Sequence, residues 1–221
     1  MNFPNWLVWI DKNLKWLFIP KLPLALIIIQ VAGFFLVRYL PAYVEQLYLE
    51  PKAILEGQIW RIFTFIAVPL MNNFLVFFVL WFFYKVMDWL EKAWGSTLLT
   101  VYFLFAWLST VLVSIFTVLA SSLLEINIPT NFDNMKYIGC SFFFALVTLN
   151  PNKEVHLFFI LPITFKWIAI FIAAVLFAVP LLLRSYEHLL YLSLLFANYL
   201  LFFGKGYWLY FKRELERRRR F

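Results

Sequence analysis

Charge, cysteine and histidine are all scarce in this chain. Charged residues make up 14% of its 221 positions against 64% hydrophobic ones, and the mean hydropathy is +0.83. A water-soluble domain carries about 25% charged residues, so this composition excludes one and places the chain in a lipid bilayer. One cysteine, Cys140, excludes an internal disulfide, and two histidines without regular spacing leave little material for a metal site. No metal or other cofactor is expected. The opening MNFPNWLVWIDKNLKW lacks the continuous apolar core and small-residue cleavage site of a secretory signal, so the first hydrophobic helix is expected to act as an uncleaved signal anchor. The net charge of +7 has no basic patch interleaved with stacking aromatics beneath it, which argues against a nucleic-acid partner. It reads as a topology signal instead.

A spanning helix needs about 20 apolar residues, because the hydrocarbon core is about 30 Å thick and a helix rises about 1.5 Å per residue. That ruler predicts six spans, and hence an all-α integral membrane protein. The first runs from Leu22 to Leu40, opened by Pro23 and closed by Arg38 and Pro41. Ahead of it, residues 1–20 form an amphipathic segment in which Trp6, Leu7, Ile10, Leu14, Leu17 and Phe18 recur at helical spacing, as in a helix lying among headgroups. The apolar run from Ile62 to Phe83 is interrupted by Pro69, Asn72 and Asn73. Pro69 pushes Val68 extended and either asparagine can cap the next helix, so the second span is predicted from about Asn73 to Trp89. The preceding stretch, Gly57 to Pro69, becomes a membrane-dipping loop, tolerated at that depth only where it packs on protein or faces water.

The third span is predicted from Thr97 to about Ser121, with Ser109, Thr110, Ser114 and Thr117 available for interhelical hydrogen bonds. The fourth, Lys136 to Leu149, is short and reads as a central helix shielded by its neighbours and stopped by Asn150-Pro151. Val155 to Ile163 reads as an apolar surface segment. The fifth span follows from Lys166 to Leu183 with a kink at Pro180, the sixth from Leu189 to Phe211, and residues 212–221 form a basic tail. Six spans put both termini on one side, which would hold 14 Lys and Arg against 5 on the other, so both termini are expected in the cytoplasm. Residues 21–211 then form the membrane domain.

GQIWR at Gly57 to Arg61, LEKAWG at Leu90 to Gly95, a short fourth helix and NPNKEVHLFFILPI after it together resemble the rhomboid superfamily, from about Leu22 to Phe211. Within it the chain looks most like bacterial rhomboid-like proteins without a complete catalytic site, and like the derlins in its IWR segment and the Asn-Pro after helix four. The resemblance implies a six-helix rhomboid-like bundle with a membrane-dipping first loop, in a multi-pass protein of the bacterial inner (plasma) membrane. Rhomboid proteases place a Gly-x-Ser-Gly serine on the fourth helix and a histidine on the sixth, because a serine hydroxyl attacks poorly until a base takes its proton. Here the serine setting is GCSF, with Phe142 in place of glycine, and the position of the histidine matches Asn198. The family's oxyanion amide matches Val76, and the histidine one turn earlier matches Asn72.

No catalytic residue is therefore assigned, and Ser141 reads as a small packing residue beside Gly139 and Cys140. The expected function is that of a catalytically inactive rhomboid-like pseudoprotease, which binds or stabilises other membrane proteins. Asn72, Asn73, Ser141 and Asn198 are candidate intramembrane polar or client-contact residues; Gly57, Gln58, Trp60 and Arg61 belong to the membrane-dipping loop. Asn198 needs partners amid apolar neighbours, either on helix two or four or in a polar cavity. Arg61 is expected to hold its loop through Glu56 or backbone carbonyls, and Trp60 to sit at the interface. The alternative is an active intramembrane serine protease with a displaced Ser141/His188 dyad; a transporter ranks last for want of inverted repeats. Expected partners are membrane lipids and transmembrane client proteins. The topology is checked by labelling sealed vesicles of a Cys140→Ala background with an impermeant maleimide: Lys52→Cys and Lys153→Cys should report opposite sides.

Overall fold

The computed structural model describes residues 5–124, 134–157, 161–185, 189, 192 and 196–206. Its elements are α1 (Asn5–Asn13), a 3-10 turn at Lys15–Leu17, α2 (Leu22–Tyr39), α3 (Pro41–Val44), α4 (Pro51–Leu55), α5 (Arg61–Thr64), a second 3-10 turn at Phe65–Ala67, α6 (Val76–Trp94), α7 (Ser96–Leu124) and α8 (Asn134–Leu149). A hairpin of β1 (Glu154–Leu157) and β2 (Leu161–Thr164) precedes α9 (Phe165–Leu182), and residues 196–206 are helical and are called α10.

Among the described residues, three helices are long and apolar enough to cross a membrane: α2, α7 and α9. The other three expected spans do not qualify, each for its own reason. α6 carries Lys85, Asp88, Glu91 and Lys92 in its second half, α8 has only 16 residues, and part of the sixth span lies outside the described residues. α8 would extend about 24 Å and α7, with 29 residues, about 43 Å, so one falls short of the hydrocarbon thickness and the other exceeds it.

α6 organises the bundle. Six of its buried residues, Val76, Leu80, Phe83, Met87, Leu90 and Trp94, follow one another at alternating steps of four and three, the seam of a helix packed along its length, and Val86 widens that seam. It packs on α2, α7 and α8, while α8 also meets α7 and α9. Phe142 of α8 is fully buried edge-on against Phe83 and Tyr102, with ring centroids 5.9 and 5.0 Å apart, so its ring fills space between α6 and α7. The N-terminal helix is docked rather than free: Leu7 is fully buried, and Trp6 meets Phe105 of α7 and Phe202 of α10 edge-on.

Three local expectations are corrected. α6 begins at Val76, and neither asparagine caps it; the Asn73 side chain instead accepts from Leu75 N at 3.2 Å in a local turn. The segment read as a featureless apolar surface, Val155 to Ile163, contains the paired strands β1 and β2, antiparallel in the register Glu154 with Thr164 and Leu157 with Leu161. Thus the described residues are almost wholly helical, with one hairpin among them. Arg61 pairs with Glu50 at 3.6 Å instead of Glu56, while the backbone carbonyls expected to hold it do so, those of Glu45 and Tyr48.

The irregular stretch between α4 and α6 is held from two sides. Pro69 follows an extended Val68 (φ −64, ψ 119) as expected of a residue before proline, and the freed carbonyls are met by the fully buried side chain of Gln30 on α2. Gln30 Nε2 donates to the carbonyls of Ile66 and, at 2.9 Å, Val68, while its Oε1 accepts from Leu70 N at 3.1 Å. One turn along α2, Gly33 lets the chain pass: a Cβ there would lie 1.6 Å from the carbonyl oxygen of Ala67. Gly33→Ala should therefore destabilise the fold by about 1–3 kcal/mol through overpacking. Gly206→Ala, whose Cβ meets nothing within 4 Å, should leave the unfolding midpoint in detergent unchanged.

Candidate functional site

The residues of the first loop form one structural unit. Arg61 is 6% exposed, and its guanidinium donates to Gln58 Oε1 at 2.7 Å and to the carbonyls of Glu45 and Tyr48 at 2.6 and 3.1 Å. A planar fork with five donors suits such a convergence of carbonyls, and the Glu50 carboxylate balances its charge. Gly57 takes φ +105, a conformation that favours glycine, and makes the turn that brings Gln58 beside Arg61. Trp60 is half exposed on the outer side of this unit, in keeping with a ring at an interface. Trp107 of α7 adds a bond from its indole N–H to the carbonyl of Ile62 at 2.8 Å and stacks on Phe63.

The second polar unit lies inside the bundle, where α7, α8 and α10 meet. Ser141 is 1% exposed and Asn198 2%. Their side chains are brought together by the spacing of α8 and α10, with Asn198 Nδ2 donating to Ser141 Oγ at 3.4 Å. The third member is Tyr102 of α7, fully buried, whose hydroxyl donates to the Ser141 carbonyl at 3.0 Å and also contacts Ser141 Oγ. Two turns further along α8, Thr148 joins its hydroxyl to that of Tyr199, the residue after Asn198 on α10. A phenol and a carboxamide surround the serine, and neither accepts a proton at neutral pH as an imidazole does.

Not every expected site residue is gathered here. Asn72 and Asn73 lie in the exposed 71–75 segment, apart from the buried unit. His188 lies outside the described residues, so the displaced Ser141/His188 dyad is without a described geometry; His156 sits in β1 opposite Pro162. Two residues were missed by reading the chain alone, Gln30 and Tyr102. A lone amide in the apolar run LIIIQVAGFF is a usable signal for the first. Nothing distinguishes Tyr102 from the many aromatics around it.

A family model described as "Eukaryotic integral membrane protein (DUF1751)" matches residues 21–214. The chain belongs to this family. The matched residues take in every membrane helix described above, both polar units and the hairpin, and the family is one of integral membrane proteins. Its description as eukaryotic overturns the expected bacterial inner-membrane location. The error came from carrying over the source of the rhomboid-like proteins that the motifs resembled, since physical chemistry in the bilayer core is common to both kinds of cell. No curated protein and no solved structure matches the chain.

The Tyr102 and Ser141 bond is measurable by a double-mutant cycle. Tyr102→Phe and Ser141→Ala should each cost about 0.5–1.5 kcal/mol of stability, and together less than their sum, with a coupling of about 1 kcal/mol. Strict additivity in thermal or denaturant unfolding would mean that the two side chains do not bond.

Proposed function

We propose that this chain is a rhomboid-like membrane protein that recognises transmembrane segments of other proteins without cleaving them. The observation that carries the reading is the engagement of Ser141 by Tyr102 and Asn198, which supplies hydrogen bonds where a protease needs a base. Loss of a general base removes about 10² to 10⁴-fold of rate, and loss of an oxyanion donor removes about 10² to 10³-fold. A bundle that retains the architecture without these groups keeps the capacity to bind.

The face offered to a client is α9. It packs chiefly on α8 and β2, and Ile170, Phe171, Leu181 and Leu182 are more than half exposed along it. A lateral opening between α6 and α9 would admit a client helix, with Asn72 and Asn73 meeting it near the surface; Asn198, buried where α7, α8 and α10 meet, would sense its polar residues once those helices part. The irregular first loop, set into the membrane beside them, would thin the lipid locally and reduce the cost of moving a polar side chain inward.

Two experiments test this reading. A photo-crosslinker at Phe171 should trap other membrane proteins in native membranes; recovery of lipid alone would count against client binding. A fluorophosphonate probe should leave the protein unlabelled. Labelling that vanishes in Ser141→Ala would establish the serine as a nucleophile and restore the protease alternative.

A further inference from the structure

The proton inventory of the buried Tyr102, Ser141 and Asn198 unit does not close. Tyr102 gives its one hydroxyl proton to the Ser141 carbonyl, which leaves the Ser141 proton for the Tyr102 oxygen. Asn198 Nδ2 donates to Ser141 Oγ, and Asn198 Oδ1, on a side chain 2% exposed, has no hydrogen-bond partner among the described residues. Every hydroxyl proton in the unit is committed, so none can turn toward that oxygen. Rotating the carboxamide by half a turn moves the deficit without removing it: Oδ1 would take the Ser141 proton only by drawing it away from Tyr102, and both N–H groups would lack acceptors among the described residues.

We propose that Asn198 is a binding site for one small neutral hydrogen-bonding group carrying an O–H or N–H donor. Neutrality follows from the surroundings, since a phenol, a hydroxyl and a carboxamide hold no charge that would offset the desolvation of a cation. Two sources share this chemistry: a water molecule buried between α8 and α10, and a hydroxyl or amide side chain presented by a neighbouring transmembrane segment. The first source needs only a small parting of the helices that makes room for one water beside an oxygen closed to solvent. The second rests on the client-binding reading above and gives it a chemical preference, for segments bearing serine, threonine, asparagine or glutamine in mid-membrane.

The test uses the purified full chain at a resolution that shows ordered water. A density peak is expected at about 2.7–3.2 Å from Asn198 Oδ1. Asn198→Leu should lose that peak and lower the unfolding temperature by about 2–4 °C. Should the leucine variant fail to fold, the peak in the unaltered protein still decides. In proteoliposomes, an apolar transmembrane peptide with a single central serine is compared with its leucine counterpart by energy transfer. Several-fold tighter binding of the serine peptide, abolished in Asn198→Leu, assigns the donor to a partner segment. A density peak without a serine preference assigns it to water and removes support from client sensing while leaving the site standing. Absence of both the peak and the preference, or a leucine variant more stable than the parent, overturns the proposal.

Discussion

An unpaired backbone carbonyl in hydrocarbon is too costly to leave, and one glutamine side chain answers that constraint where the chain breaks at Pro69. Gln30 gives two hydrogen bonds and takes one from the 66–70 segment, acting as a surrogate backbone where Pro69 prevents a helix from continuing. Gly33 allows the approach that makes those bonds short enough. With the segment fixed at this end, the Arg61 unit fixes its other end through the carbonyls of Glu45 and Tyr48. The piece of chain least able to satisfy itself is thus anchored at two points, and α6 starts from a defined place.

The second half of the bundle uses a different device for the same purpose. Between α7, α8 and α10, shape is set by aromatic rings, with Tyr102 edge-on to both Phe142 and Phe202 at centroid distances of 5.0 and 4.7 Å. Rings alone leave helices free to slide, since lipid tails are as apolar as the side chains. The Tyr102, Ser141 and Asn198 contacts, with Thr148 and Tyr199 beyond them, select one register among the many that apolar packing would allow.

Much of this was legible in the chain, unevenly so. Pro23 and Arg38 bracket α2 almost to the residue, Asn150-Pro151 ends α8, and Pro69 makes Val68 extended, because prolines and charges act locally and leave few alternatives. The hairpin was not legible: from Val155 to Ile163 only His156 breaks an almost continuous apolar run, which carries no alternation to mark strand from surface coil. Asn73 is a good cap by type, yet its side chain closes a turn to Leu75 and α6 begins at the next residue, Val76. Ser141 and Asn198 were both identifiable as isolated polar groups. Their meeting depended on the relative positions of α8 and α10, and Tyr102 was hidden among 28 Phe, 11 Tyr and 10 Trp.

The charged second half of α6 acts as a waterline for the whole assembly. Lys92 and Asp88 pair at 2.7 Å with the lysine exposed, and the Ser96 hydroxyl holds Glu91 at the same level. Lowering α6 by one turn, about 5.4 Å, would draw these groups toward the bilayer interior, where each acid or base costs up to about 2.5–3.5 kcal/mol at the centre. Because α2, α7 and α8 all lean on this helix, none can float higher or sink lower alone. A short α8 therefore stays at its own level, suspended from its taller neighbours, in a bilayer it is too short to span.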